Sequence, residues 1–585
     1  ARSAASPQPL PTNLTLLWSR KLPPPRQAWP LEVKRRMDFD VSYEPVVMGQ
    51  RLFLGSQNDG SVTAYDTATG AEQWKFYTEG PVRCAPACWS GKVYAGSDDG
   101  WLYCLDAATG RQLWKFRGAP PDRPDRRHLG NEHLISFWPV RGGPVVVDGV
   151  VYFGAGVWSV FGVFLHAVEG ETGRVKWSNS ELNYLANVRA DHEQYVEHAG
   201  LSPQGHLLAV RDRLVVPCGR SMPAGLDLAT GRLIYYLQGA RNGDCRLAAH
   251  DPYVFVGKFG VINLLDFREV ISMWVGRGGV KPEGYLNTMN NQQFDMHEAP
   301  YFPYKMCAGC DPAPAYEDHN RFAGCDALSA FDGGIAYSAN KGTFYAHDLR
   351  GATISKRKIE WSGTKEVWTW TLPLVWTYRA PYAGTARSPV IKAGPRLYGQ
   401  AGKKLIALEE LQSQPRPVWE WDLDGQVTSL LAADNKLFVV TADGWLHGFG
   451  QAAGAPAAPR VFAGEPRPLA TNACARATAL AGATGTKAGY CLVLGLTDGH
   501  LIEELLGATD LIILGVDADA AKVNALRRKF DAAGVYGTRV ELFVGDPCAF
   551  PFPPYLASLI VSEDAPRVGM PGNADVGRLF HALRP

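Results

Sequence analysis

Short runs of alternating apolar and polar positions recur along most of the chain, separated by glycine-containing turns. Residues 59–74 read DGSVTAYDTATGAEQW, and residues 99–114 read DGWLYCLDAATGRQLW. Asp, Thr-Gly and Trp keep step, so that Trp114 follows Trp74 by 40 residues. Each unit predicts a strand after an Asp-Gly turn, a tight Thr-Gly turn, and a second strand opening near the Trp. Gly, and Asp nearly as well, tolerate the positive φ such turns need. Weaker copies follow. Residues 167–177 keep Ala167, Gly173 and Trp177, residues 225–235 keep Asp227 and Gly231, and Asp266 with Trp274 keep the Asp-to-Trp spacing. Ala346–Asp348, Ala407–Glu409 with Trp419, and Asp443-Gly444-Trp445 read as eroded copies. Seven or eight such meanders between residues 13 and 450 predict a mainly β protein built as a β-propeller. A pair of β-sandwiches is the alternative, but a sandwich does not need the same turn and aromatic at the same phase in each unit. TLLWSRKL, residues 15–22, has the alternation of a strand that closes a ring, which would remove exposed sheet edges.

The pattern changes after residue 450. Residues 451–472 are rich in Ala, Pro and Gly and lack periodicity, which predicts a linker between the propeller and residues 473–585. Beyond it, apolar runs alternate with amphipathic stretches. YCLVLGL (490–496), LIILGVD (511–517), RVELFVGD (539–546) and LASLIVSED (556–564) predict strands. Residues 500–508, 519–534 and 576–585 predict helices. This alternation is that of a parallel α/β sheet, a partial Rossmann-like module.

The Ala-x-Asp-x-x-Thr-Gly-x-x-x-Trp unit resembles the repeat of quinoprotein-like propellers, a fold shared by pyrroloquinoline-quinone dehydrogenases and outer-membrane assembly lipoproteins. The resemblance implies that Trp74, Trp114, Trp177 and Trp274 dock between neighbouring blades. Residues 473–585 resemble the nucleotide-binding half of a class I S-adenosylmethionine methyltransferase. That likeness assigns the cofactor to the turn Gly495–Gly499, to Asp517 at the end of the second strand, and to Asp546 beside the adenine. The turn departs from the family pattern, having Val493 where an acidic residue is expected and Thr497 where a glycine is expected. The last predicted helix stops at Pro585, before the family's remaining strands, so the natural chain is expected to continue.

Composition removes some function classes. A net charge of +1 excludes a strongly basic nucleic-acid binder, and no apolar run approaches the ~20 residues of a membrane-spanning helix. The chain begins with Ala1 rather than Met, so it is either processed or part of a longer chain; removal of an export signal is the reading taken, which predicts a periplasmic or secreted protein. The 11 cysteines are odd in number and cannot all pair internally. Cys307 and Cys310 form a C-x-x-C with Cys325 beyond, and His297 and His319 nearby. These residues suit a disulfide in an exported chain, or Zn²⁺ with a histidine as fourth ligand. Position 311 is Asp rather than His, against covalent haem. Cys84 with Cys88, and Cys218 with Cys245, are further candidate pairs.

Two polar stretches carry the remaining candidates. Arg189, Asp191, His192, Glu193, Glu197, His198 and Arg220 could line the propeller mouth as acid/base groups or metal ligands. Glu283, Asn287 and Asp295, with Asn290, Asn291, His297 and Glu298 nearby, offer the oxygen ligands of a Ca²⁺ site. The plainer reading of both is a solvated insertion between blades. No two cysteines are adjacent, whereas many quinone-dependent alcohol dehydrogenases of this fold carry a vicinal disulfide over the cofactor. The sequence therefore predicts a propeller scaffold that binds a protein or polymer partner. A pyrroloquinoline-quinone and Ca²⁺-dependent alcohol or sugar dehydrogenase is the first alternative, and an S-adenosylmethionine methyltransferase the second.

Overall fold

The computed structural model describes residues 3–30, 37, 39–186, 198–219, 221–237, 244–257, 260–264, 269–271, 279–280, 305–307, 327–360, 364–382, 384, 387–452, 458–463, 467, 469, 475–564 and 573–584. Eight antiparallel blades account for most of them. Blade 1 shows the local logic. Its strands Val46–Met48, Arg51–Gly55, Ser61–Asp66 and Glu72–Tyr77 pair in sequence order. Asp66 accepts hydrogen bonds from the backbone of Ala68 and Thr69 and from the Thr69 hydroxyl, closing the Thr-Gly turn. Asp106 and Asp227 close the corresponding turns of blades 2 and 4 in the same way.

Blade 2 runs from Ala87–Trp89 to Gln112–Arg117, blade 3 from Gly142–Val147 to Val175–Asn179, and blade 4 from Leu208–Val210 to Leu233–Leu237. Blade 5 runs from Leu247–His250 to Glu269–Ile271, blade 6 from Ala330–Asp332 to Leu374–Arg379, and blade 7 from Ile391–Ala393 to Arg416–Asp422. Blade 8 starts at Val427–Ala433 and takes its outer strand from the other end of the chain, Thr15–Lys21. The core is a ring of inter-blade clusters. Phe53 and Val62 pack with Val93 and Leu105, Tyr94 and Leu102 with Val151 and Val168, and so on around. The last cluster joins Phe438 and Val440 of blade 8 to Leu52 and Leu54 of blade 1, which closes the propeller.

Each outer-strand tryptophan reaches across a blade boundary. Trp74 Nε1 donates to Ala107 O, Trp114 Nε1 to Gly170 O, Trp177 Nε1 to Leu228 O and Trp18 Nε1 to Thr67 O, at 2.9–3.1 Å. The Thr-Gly turn receives the ring: a Cβ at Gly110 would lie 2.6 Å from the Trp74 ring, and one at Gly231 would lie 2.4 Å from that of Trp177. Trp376 and Trp419 make the same kind of bond to Leu411 O and Leu14 O. Trp274 lies outside the described residues.

Part of the segment expected as linker is itself paired. Arg460–Phe462 adds a parallel fifth strand beside Thr15–Lys21. The C-terminal module then forms a parallel sheet in the order Val540–Val544, Asp510–Asp517, Ala488–Leu494, Leu559–Ser562. Helices His500–Ala508 and Ala520–Ala532 connect its first three strands, and helix Ala475–Thr484 precedes them. The sequence pattern missed that first helix because ARATALAGAT has almost no apolar stripe.

The module sits on the propeller face formed by the ends of blades 1 and 2. Lys75 bridges Asp59 and Asp531 at 2.6 Å each, and the Tyr77 hydroxyl donates to Asp531 at 2.8 Å. Gly537 packs so closely on Asn58 that a Cβ there would lie 2.1 Å from the Asn58 carbonyl oxygen. Leu134, from the loop between blades 2 and 3, joins the module's core beside Tyr490 and Leu514. His133 pairs with Glu541, and Arg127 lies over Phe543 and Phe550 at 5.2 and 4.9 Å.

Candidate functional site at the propeller mouth

The segment between Lys21 and Val46 connects the outer strand of blade 8 to the inner strand of blade 1. Its described residues touch loops that lead into the inner strands of several blades. Asp40 Oδ2 accepts from Arg83 Nη1 at 2.7 Å and from Ala28 N at 2.7 Å, and Arg83 precedes blade 2. Trp29 Nε1 donates to Gln204 Oε1 at 2.7 Å, before blade 4, and Arg141, before blade 3, lies 5.5 Å from the Trp29 ring. Phe39 packs with Ala28, Cys84 and Cys245, the last of which precedes blade 5. The described residues of this stretch therefore line the mouth of the propeller beside the entry loops of blades 2 to 5.

Beneath it lies a buried ion cluster. Asp98 accepts Arg83 Nε at 2.5 Å and takes a two-pronged contact from Arg141, Nε at 3.0 Å and Nη2 at 2.9 Å. Burial alone would raise the Asp98 pKa, but Arg141 and Arg83 outweigh it and hold the carboxyl at about 2. Burial wins at Asp40, whose pKa is raised despite Arg83. Charges removed from water this completely persist only when paired, so the cluster is a set of mutual partners. Nearby, His206 Nε2 faces Glu44 at 2.9 Å. None of these residues stands in a motif, and single charged residues in loops give no signal before the loops converge.

The two buried carboxylates described at the mouth are already engaged. Asp40 and Asp98 are both held by arginine, and no group of three or more His, Cys, Asp or Glu side chains suited to a metal occurs among the described residues. Glu283, Asn287, Asp295, Arg189, Asp191, His192, Glu193, Glu197, Arg220, Cys310 and Cys325 lie outside the described residues, and so do His297 and His319. Cys307 ends the strand Lys305–Cys307, which pairs with Thr364–Leu372. His198 lies in the strand His198–Ala199. Cys88 and Cys218 carry free thiols, against the pairings Cys84–Cys88 and Cys218–Cys245; Cys218 is buried, and its thiol donates to Val216 O at 3.4 Å.

In the C-terminal module the glycine turn is filled by the chain itself. Gly495 and Gly499 take positive φ, 71° and 79°, and Gly499 caps helix His500–Ala508. Glu563, not singled out from the sequence, accepts from Thr497 N and Leu501 N at 2.8 Å each. A carboxylate therefore already occupies the helix start, the place that favours an anion. Asp517 accepts from Leu496 N at 2.8 Å, Asp519 N at 2.8 Å and Lys522 Nζ at 2.8 Å, and its pKa is lowered, with burial opposing and Lys522 prevailing. Asp546 is exposed and accepts from Cys548 N.

Residues 15–133 and 58–249 match the family model described as "Outer membrane protein assembly factor BamB". The match spans the closing strand and blades 1 to 4 and does not reach the C-terminal module. Similar solved structures include BamB from Moraxella catarrhalis, 13% identical, covering 76% of this chain and 100% of that one with a TM-score of 0.39. A quinohemoprotein alcohol dehydrogenase from Pseudomonas putida HK5 is 16% identical, covering 80% of this chain and 81% of that one with a TM-score of 0.44. A europium-containing methanol dehydrogenase is 15% identical, covering 77% and 96% with a TM-score of 0.44. No curated protein matches the chain. No helix among the described residues is long and apolar enough to cross a membrane.

Proposed function

We propose that the chain is an extracytoplasmic binding or assembly scaffold that presents its propeller face to a protein partner. One observation carries this reading: the mouth is lined by the chain's own Trp29 and Asp40, which are held against a buried cluster of Arg83, Asp98 and Arg141. A ligand that displaced this buried ion cluster would leave charges unpaired, at a cost of about 3–5 kcal/mol each. The family match to an assembly factor supports the same reading. The C-terminal module fits as part of the scaffold, since Glu563 and Lys522 occupy the groups a nucleotide would use.

The test is reconstitution of the purified chain with pyrroloquinoline quinone and Ca²⁺, read by native mass spectrometry and by dye reduction over alcohols and sugars. The expected result is the bare polypeptide mass and no quinone-dependent turnover. Stoichiometric quinone and Ca²⁺ with turnover would replace the scaffold by a dehydrogenase.

A further inference from the structure

Nine large hydrophobic side chains are exposed among the described residues, and four of them meet at one place: Trp158 (48%), Val160 (66%), Phe161 (44%) and Tyr184 (59%). The first three belong to the loop between the second and third strands of blade 3, around the short turn Ser159–Phe161. Tyr184 follows the outer strand of the same blade. Concentration of this kind on one face distinguishes an interaction surface from scattered apolar exposure.

The backbone under these side chains is pinned. Trp138 Nε1 donates to Phe161 O at 2.7 Å, the Ser202 hydroxyl donates to Val157 O at 2.7 Å, and Val163 N donates to Asn183 Oδ1. Gly200 lies where a Cβ would be 2.6 Å from Ser159 Cβ and 2.4 Å from Leu182 O, so the two loops are in close contact. Exposed rings on a fixed backbone lose little further entropy when a partner docks.

The surface also has a direction. Trp158 packs edge-on to Trp29 of the mouth segment, centroids 5.5 Å apart, and Phe161 edge-on to Phe137 at 5.2 Å. Phe137 carries the Arg126 guanidinium 4.6 Å from its centroid. The next residue, Arg127, is the one that stacks on Phe543 and Phe550 of the C-terminal module. The exposed ridge is therefore continuous with the interface that already holds the module. Arg123 and Arg126 are exposed, and among the described residues neither has a carboxylate within ion-pair distance. Tryptophan, tyrosine and arginine around an apolar centre are the residues that dominate protein recognition.

We infer that the ridge of Trp158, Val160, Phe161 and Tyr184 docks a protein segment that offers apolar side chains together with a carboxylate for Arg126. The inference rests on the scaffold reading and names the surface it uses. The probe is a set of dye-labelled synthetic peptides with Leu and Phe at alternate positions and Glu flanks. Matched versions carry Lys flanks, or Ser in place of Leu and Phe, and all are titrated into the full chain by fluorescence anisotropy. The expected result is binding of the Glu-flanked apolar peptides ~10-fold tighter than either control. Trp158→Ser with Phe161→Ser should weaken that binding ~10-fold while the far-ultraviolet circular dichroism spectrum stays that of the wild type. Arg126→Glu should reverse the preference for flank charge. Equal binding by the ridge variant, or no binding by any peptide, overturns the inference. Self-association of the wild type that the ridge variant abolishes overturns it too, by giving the surface to a second copy. Failure here without quinone-dependent turnover leaves a scaffold whose partner binds elsewhere; turnover removes the scaffold reading itself.

Discussion

Arg527, on a helix of the C-terminal module, donates Nη2–H to Glu79 at the end of the outer strand of blade 1, across 2.5 Å with both side chains largely buried. Glu79 also accepts from Val544 N, and Arg527 donates to Leu542 O through Nε and Nη2 as well. The pair thus ties the module's sheet edge and helix to the propeller at one point. Removing one buried partner strands the other, so Arg527→Met is expected to cost about 3–5 kcal/mol. Because the module and blade 1 share a core, wild type should unfold in one step and the variant in two. Denaturant unfolding followed by far-ultraviolet circular dichroism and by limited proteolysis would show this. The double variant Arg527→Met with Glu79→Gln should recover part of the loss; if it recovers none, the ion pair is not what holds the module.

The glycine of the Thr-Gly turn is required by its neighbour as well as by its own φ. Gly110 has φ +72° and faces the Trp74 ring, whereas Gly91 has φ +75° and nothing within 4 Å of an added Cβ. Gly91→Ala pays only for the left-handed backbone, about 1 kcal/mol. Gly110→Ala must also displace an indole that is hydrogen-bonded to Ala107 O, and should cost ~2–4 kcal/mol. Paired urea titrations measure the difference. Equal losses would mean that the tryptophan adjusts freely at the blade boundary.

The blades were legible because one short-range device recurs: Asp closes the turn, Gly admits the ring, and Trp spans to the next blade. Such a device is written within about 16 residues, as in 59–74, and needs no knowledge of the rest of the chain. Erosion hid the count in blades 5 to 8, where Thr-Gly is lost, although the ring closes at eight. The mouth was not legible. Asp40, Arg83, Asp98 and Arg141 come from four separate loops, and only ring closure brings them within hydrogen-bonding distance. Docking of the C-terminal module was hidden for the same reason: Lys75 and Asp531 are ordinary charged positions in their own elements. The alternation of strands and helices announced the module's sheet, while the carboxylate of Glu563 at its glycine turn depends on a strand far along the chain.

Asp98 gives the mouth a measurable pH signature. Its folded pKa of about 2 lies below the ordinary carboxyl value of 3.8, so its contribution is full above about pH 4 and is lost as pH falls through 2. That contribution is about 2 kcal/mol at ~1.4 kcal/mol per pH unit. Asp98→Asn leaves Arg83 and Arg141 facing a neutral amide and should cost about 3–5 kcal/mol at pH 7. The gap between variant and wild type should narrow as pH approaches 2, because wild type then loses the same charge. Guanidinium unfolding at pH 7 and pH 3 tests this, and a gap independent of pH would contradict the pairing.

His166 works in the opposite sense on a different pH window. It is buried in blade 3, accepts or donates at Ser178 through Nδ1 at 2.8 Å, and donates Nε2–H to Gly118 O at 2.8 Å. Burial lowers its pKa from 6.5 to about 4, the bond to Gly118 only partly opposing. The fold therefore holds a neutral imidazole that the unfolded chain protonates below pH 6.5. Stability is full above that value and declines as pH falls toward 4, by about 3 kcal/mol in all. His447, also lowered to about 4 by burial, declines over the same window. His166→Gln removes one titrating group and keeps an amide donor for Gly118 O, so its stability should fall less steeply than that of the wild type between pH 6.5 and 4. Thermal midpoints at half-unit pH steps read the two slopes; parallel curves would show that His166 is protonated in the fold as readily as in the open chain.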